Sequence, residues 1–236
     1  MKKFSSVITA ENTRGKIAVI PDIKCTSPKE GDLLQGRDPV DVAKQLAQLG
    51  APCLSVVTEQ TNFGASPALL RDIAATVDIP ILRKDFITTP DGVKESLEQG
   101  AAAVLLICAI MDETTLNTLV EYSLSIGIEP FVEVCSIEEM GWANRLHQYI
   151  DAGANLIGIN NRDIVTLEHD DGGPARTASL AASAPDNAVL VSESGILSPE
   201  DAKLAATASA HAVLVGTALW QADDMAAMYE SLRIPL

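Results

Sequence analysis

Eight short apolar runs rich in β-branched residues recur along this chain, and helix-period segments lie between them. The runs are IAVIPDI (17–23), CLSVVT (53–58), IPILRK (79–84), AAVLLIC (102–108), IEPFVEV (128–134), NLIGIN (155–160), AVLVSE (188–193) and HAVLVG (211–216). Most begin one to three residues after a Gly, Pro or Asp, as strands entered from tight turns do. Their hydrophobicity is continuous rather than alternating, the pattern of a parallel sheet buried under helices on its faces. Eight such units predict an α/β fold, a single (β/α)8 TIM barrel occupying residues 1–236 as one domain. An open doubly wound sheet is the alternative. That fold usually carries a Gly-rich dinucleotide loop after its first strand, and here the position reads KCTSPKEG.

The intervening segments carry helix punctuation. PVDVAKQLAQLG starts at Pro39 and stops at Gly50. DETTLNTLVEYSLSIG places Leu116, Leu119, Val120 and Leu124 on one face. SPALLRDIAATV, TPDGVKESLEQG, SIEEMGWANRLHQYI, SPEDAKLAATAS and QADDMAAMYESL each open on a capping residue or an acidic first turn. GPARTASLAASA, after the sixth strand, has the faintest helical pattern.

Composition narrows the function classes. Hydrophobic residues at 47% with aromatics at only 4% give a mostly aliphatic core. A formal charge of -15 argues against a nucleic-acid surface, which needs clustered Lys and Arg. Cys25, Cys53, Cys108 and Cys135 form no CxxC pair and read as free thiols in a reducing compartment. The apolar run after Lys2 and Lys3 is too brief for a signal peptide, and AAAVLLICAIM (101–111) is too short to span a bilayer. The expected location is the cytoplasm. His147, His169 and His211 lack metal-ligand spacing and read as structural or solvated.

Against this background, Lys24, Lys84 and Glu133 stand out, because each closes a strand that should be buried. An ionised group there costs several kcal/mol unless paired or wetted. In a barrel of this kind the loops after the strands build the active site. Side-chain alternation turns Asp22 and Lys24 the same way. Lys84 ends the third strand, Glu133 the fifth, Asn160 and Arg162 the sixth, and Glu193 and Ser194 the seventh. One ionic pair reads as structural; several converging on one mouth read as a catalytic centre. SESG (192–195) and VGT (215–217), after strands seven and eight, supply Gly-containing turns of the sort that hold phosphate, with Ser194, Gly195, Gly216 and Thr217 as candidates. Alternation turns Arg83 away from Lys84 toward the helices, and Glu59 reads as part of a solvated second loop that the VTE motif keeps near the site.

The motifs IKCTSPKEG, LSVVTEQTNFGAS, DIPILRKDFI, AVLLICAIM, FVEV, IGINNRDIVTLEHD, VSESGILSPED and VLVGTAL run in one order over 17–219. In that order they resemble indole-3-glycerol phosphate synthase, the ring-closing enzyme of tryptophan biosynthesis. The resemblance implies a lyase that converts 1-(2-carboxyphenylamino)-1-deoxyribulose 5-phosphate to indole-3-glycerol phosphate, CO2 and water, without metal or organic cofactor. It implies Lys84 as general acid, Lys24 on the phosphate and carboxylate side, and Glu133 as carboxylate partner and base. Asp22 falls in the family's catalytic triplet, and Asn160, Arg162 and Glu193 orient hydroxyls and lysines. Ser27, Ser194, Gly195, Gly216 and Thr217 fall on the phosphate side, and Phe63 and Phe86 line the aryl pocket. A Lys84 whose pKa is lowered by nearby cations and desolvation is the expected acid. The implied partner is a small phosphorylated substrate, with no nucleic acid and no membrane; a homo-oligomer or partner enzyme stays open.

Three departures accompany the resemblance. Asp22 stands where the family carries glutamate, and Cys25 and Thr26 replace commonly basic residues. The family also has a longer segment before the first strand, including a helix over the catalytic mouth, of which Phe4 and its neighbours are the remnant. A slowed synthase, one that recruits a cap from a partner, a Schiff-base lyase for another phosphorylated sugar and a non-catalytic phosphate-binding barrel are the readings these departures leave.

Overall fold

A computed structural model describes residues 2–28, 30–146, 155–162 and 173–236. The chain opens with helix α1 (Phe4–Thr13) and strand β1 (Ala18–Ile23), followed by a small hairpin of β2 (Thr26–Ser27) and β3 (Gly31–Asp32). Then come α2 (Pro39–Gln48), β4 (Leu54–Val57), α3 (Pro67–Ala74), β5 (Ile81–Lys84), α4 (Pro90–Glu98), β6 (Ala103–Ile107), α5 (Glu113–Ile126) and β7 (Glu129–Val134). The second half continues with α6 (Ile137–Arg145), β8 (Leu156–Asn160), α7 (Ala175–Leu180), β9 (Val189–Glu193), α8 (Pro199–Thr207), β10 (Ala212–Val215), α9 (Thr217–Gln221) and α10 (Met225–Ser231). The eight long strands close into a parallel barrel in the order β1-β10-β9-β8-β7-β6-β5-β4. This is the (β/α)8 fold that the eight apolar runs predict. Among the described residues no helix is long and apolar enough to cross a membrane.

Local chemistry sets the helix starts. Asp38, Thr89, Asp112, Ser136, Ser198 and Asp224 each accept a backbone N–H of the following turn through their side chains. Such caps are worth about 1 kcal/mol each. Ser198 and Asp201 form a reciprocal capping box. At the other end of α5, Gly127 adopts φ 83, a left-handed stop that suits glycine. The faint helix after strand eight in the chain shrinks to the six residues of α7.

Period-2 alternation sorts the strand side chains into two cores. Val19, Leu54, Val56, Val104, Leu106, Val132, Ile157, Ile159, Val213 and Val215 pack outward with the helices. Ala18, Ile20, Leu82, Leu105, Phe131, Leu156, Val191 and Leu214 fill the barrel interior. One step of alternation beyond this interior layer, at the C-terminal strand ends, come Asp22, Lys84, Glu133 and Glu193. The apolar interior therefore gives way to ionised groups within a single layer.

Helix α1 packs against the starts of the strands. Phe4 and Ile8 join the interior core beside Ala18, Ala103, Leu156, Val189 and Ala212, all at the first or second position of their strands. Phe4 meets Phe131 edge-on, with centroids 6.4 Å apart at 80°. Ser5 binds the carboxylate of Glu129, the first residue of β7, through its N–H (3.1 Å) and Oγ (2.5 Å). Asn12 reaches the carbonyl of His211 just before β10 at 2.8 Å. The remnant thus plugs the N-terminal end of the barrel and does not lie over the catalytic mouth. Its apolar face is matched to the barrel's aliphatic floor, where the mouth offers charge.

Candidate active site

The centre of the mouth is a buried ion triad. Lys84 Nζ lies 3.3 Å from Glu133 Oε2 and 3.2 Å from Glu193 Oε2. Glu133 also accepts from Asn160 Nδ2 at 3.0 Å, and Asn160 Oδ1 accepts the backbone N–H of Arg162 at 3.0 Å. Glu133 and Glu193 are buried, so an unpaired charge at either place would cost several kcal/mol. One cation between two carboxylates leaves an excess negative charge. Glu193 carries its consequence: burial, with Glu133 adding repulsion against the pull of Lys84, pushes its carboxyl up to about 8. Its Oε1 has no hydrogen-bond partner among the described residues and occupies the space above Gly158, where a Cβ would lie 1.9 Å from it. Glycine in β8 is what lets the glutamate of the neighbouring strand fold inward.

The two lysines behave opposite to expectation in part. Burial alone would lower Lys84, but Glu193, Glu133 and Asp22 outweigh it and hold the ammonium above its ordinary value. Lys24 is the lysine that is lowered, by burial and by the nearby Arg162 and Lys84, against the pull of Asp22 and Glu30. The expectation of a lowered Lys84 is thereby corrected: two carboxylates in contact dominate more distant cations. Lys24 has no hydrogen-bond or ion-pair partner among the described residues. It faces the same cavity as Lys84.

The rim assembles from other strand ends. Asp22 Oδ1 accepts Ser55 Oγ at 2.7 Å, and its backbone carbonyl accepts Trp220 Nε1 at 2.8 Å. Arg37 lies over the Trp220 ring at 5.0 Å, tying the segment after the hairpin to α9. Ser27, Asn160 and Arg162 line the cavity with these groups. Phe63, Phe86, Val57, Leu105, Ile107 and Leu214 give it an apolar side. Gly195, Ser194, Gly216 and Thr217 also border it, so every site residue expected from the sequence lies at this one mouth or, for Glu133 and Glu193, directly beneath Lys84.

Several residues outside the expected set shape this site. Glu59 lies in the second βα loop and near the site, as expected: it borders the cavity, and its carboxylate accepts the N–H groups of Thr61 (2.9 Å), Asn62 (2.7 Å) and Phe63 (3.2 Å). It holds the Phe63 turn rather than pointing to solvent. Asp85 does the same for Phe86, accepting its N–H at 2.9 Å. Asp85 is in turn fixed by Thr58 Oγ1 (2.6 Å) and Arg83 (3.2 Å). Arg83 points outward as expected, reaching Glu95 on α4 at 3.1 Å. Ser55 carried a readable signal, a hydroxyl on the inward face of an apolar strand. Asn161 faces away from the cavity, and nothing in its spacing marked it. His211 accepts the Leu190 N–H at 3.1 Å and is structural; His147 and His169 lie outside the described residues. Cys25, Cys53 and Cys108 are buried and Cys135 half-buried, and none of the four is in a disulfide among the described residues.

Comparison with known proteins decides the lineage. The family profile described as "Indole-3-glycerol phosphate synthase" matches residues 1–232. The chain belongs to the indole-3-glycerol phosphate synthase family. An indole-3-glycerol phosphate synthase of Carboxydothermus hydrogenoformans is 42% identical over 214 residues, covering 91% of this chain and 78% of the relative. One from Pyrococcus abyssi is 40% identical over 209 residues, with 89% of this chain and 88% of the relative covered. A third, from Beutenbergia cavernae, is 43% identical over 203 residues, with 86% and 72% covered. In this member of the indole-3-glycerol phosphate synthase family, the triad of Lys84, Glu133 and Glu193 is assembled and paired.

Proposed function

We propose that this protein closes the indole ring of 1-(2-carboxyphenylamino)-1-deoxyribulose 5-phosphate, releasing CO2 and water. The observation that carries the reading is the Lys84–Glu133–Glu193 triad at the floor of a cavity with one apolar, aromatic side and one cationic side. Ring closure joins the aryl carbon bearing the carboxylate to the keto carbon, while the keto oxygen takes a proton. Lys84, charged throughout the neutral range, is placed to give that proton or to hold the developing oxyanion. Glu133 faces the cation that forms on the ring nitrogen. After CO2 departs, the new hydroxyl leaves as water; Lys24, with its lowered pKa, is the readier proton donor for that step. Phe63 and Phe86 fit the aryl ring. The turns at Ser194-Gly195 and Gly216-Thr217, with Ser27 and Arg162, fit the phosphate end. Asn160 steers Glu133, and Asp22 sits beside Lys24.

A Schiff-base lyase is disfavoured by the same geometry, because a nucleophilic amine must be neutral and Lys84 is held as an ammonium. The test is turnover of the carboxyphenylamino substrate, followed by indole fluorescence, together with borohydride treatment. Indole formation without a trapped adduct is expected. An adduct on Lys84, or no turnover by folded protein, overturns the reading.

A further inference from the structure

We propose that Asn161, which does not border the cavity, is a positioning residue that aims the phosphate-binding turn. The proposal rests on the phosphate assignment made above. Asn161 is buried, at 1% exposure. Its Nδ2 donates to the carbonyl of Glu193 (2.9 Å), the carbonyl of Ser194 (3.1 Å) and Ser192 Oγ (3.0 Å). Its Oδ1 is held in return by the N–H (2.9 Å) and Oγ1 (3.1 Å) of Thr177, and Thr177 Oγ1 lies 2.7 Å from Ser192 Oγ. Thr177 and Ser192 are fully buried.

The consequence follows from the trans peptide unit, in which C=O and N–H point in opposite directions. The carbonyl of Glu193 shares its peptide plane with the N–H of Ser194, and the carbonyl of Ser194 shares its plane with the N–H of Gly195. An amide that gathers both oxygens on the outer side of the barrel turns both N–H groups the other way, toward the cavity that Ser194 and Gly195 border. Neither N–H has an acceptor among the described residues. Ser194 has φ 64 and Gly195 φ 71. A serine in the left-handed region persists only where its surroundings dictate it, and Asn161 is the group that grips the carbonyls on both sides of its N–H. Pre-aimed N–H donors bind an anion without having to reorganise.

The test uses Asn161→Asp, which keeps the acceptor for Thr177 and the shape but removes both donors. Inorganic phosphate serves as competitive inhibitor, and the carboxyphenylamino substrate is compared with its dephosphorylated counterpart. The inhibition constant for phosphate and the KM of the phosphorylated substrate should each rise at least about tenfold, the scale of a hydrogen bond to a charged group. kcat should change far less, and the dephosphorylated substrate should lose nothing further. Thr177→Val, which loosens Asn161 from behind, should move the same constants in the same direction by about 2- to 5-fold. It carries the test if near-UV circular dichroism finds Asn161→Asp unfolded. An unchanged phosphate constant in folded variants, or an equal loss on both substrates, overturns the proposal. If the parent protein is not inhibited competitively by phosphate and treats both substrates alike, the phosphate assignment itself falls.

Discussion

Replacing Gly158 by alanine is the sharpest single perturbation of this site. The added Cβ would lie 1.9 Å from Glu193 Oε1 and 2.3 Å from Phe131 Cε1, against an ordinary contact near 3.4 Å. Phe131 cannot retreat freely, because it is fully buried and packed edge-on against Phe4. Both neighbours are pressed: Glu193 must give way by about 1.5 Å and Phe131 by about 1.1 Å to restore that 3.4 Å contact, the ring against its own packing. A shift of that size in Glu193 breaks its 3.2 Å contact with Lys84 and leaves the buried ammonium without one of its two partners. Misplacements near 1 Å cost about 10²-fold in rate, and overpacking a tight interior costs about 1–3 kcal/mol. Gly158→Ala should thus lower kcat about 10²-fold and shift the urea midpoint downward, read by indole fluorescence and equilibrium unfolding. Adding Glu193→Asp should recover part of the lost stability, since the shorter side chain vacates the contested space. Turnover within about threefold of the parent, with an unchanged midpoint, would refute the claim that Gly158 sets the place of Glu193.

The remaining predictions concern the charges themselves. Lys84→Met should cut kcat by at least about 10²-fold while phosphate inhibition survives; a variant that keeps most of its turnover removes Lys84 from the chemistry. Between about 4.5 and about 8 the folded chain keeps a proton on Glu193 that the unfolded chain has lost, so stability should fall as pH rises through that window. Urea midpoints across the window should flatten in Glu193→Gln, and an undiminished slope would exclude Glu193 as its source. Asp22→Glu should raise kcat/KM on the carboxyphenylamino substrate while costing about 1 kcal/mol for the lost Ser55 hydrogen bond. No gain would mean that the pocket is built around the shorter carboxylate.

The barrel was legible because burial on both faces leaves a continuous apolar signature in every strand, and the turn residues punctuate it. The same alternation that sorts Leu82 inward sorts Lys84 inward, so the charged floor could be read off the strand ends. What alternation cannot report is a balance of fields. Lys84 and Lys24 look equivalent in sequence, yet two carboxylates touch one and none touches the other, and their pKa values move in opposite directions. Supporting residues were hidden for a related reason. Glu59 and Asn161 act by holding backbone groups in turns, and a polar residue near a loop carries no pattern that separates such a role from solvation. Helix α1 carried no periodic signal that was read, and nothing in Phe4 and its neighbours says which end of the barrel they cover.

That the apolar plug and the charged mouth sit at opposite ends has a consequence for the chemistry. A lysine flanked by two buried carboxylates is stable only where the low dielectric strengthens its attraction to both, and the plug helps to provide that by sealing the interior beneath Phe131. Within that interior Glu193 Oε1 has no hydrogen-bond partner among the described residues, and burial raises the Glu193 carboxyl to about 8. The two lysines of the cavity lining differ in kind: Lys84 is held by two carboxylates, while Lys24 has no ion-pair partner among the described residues.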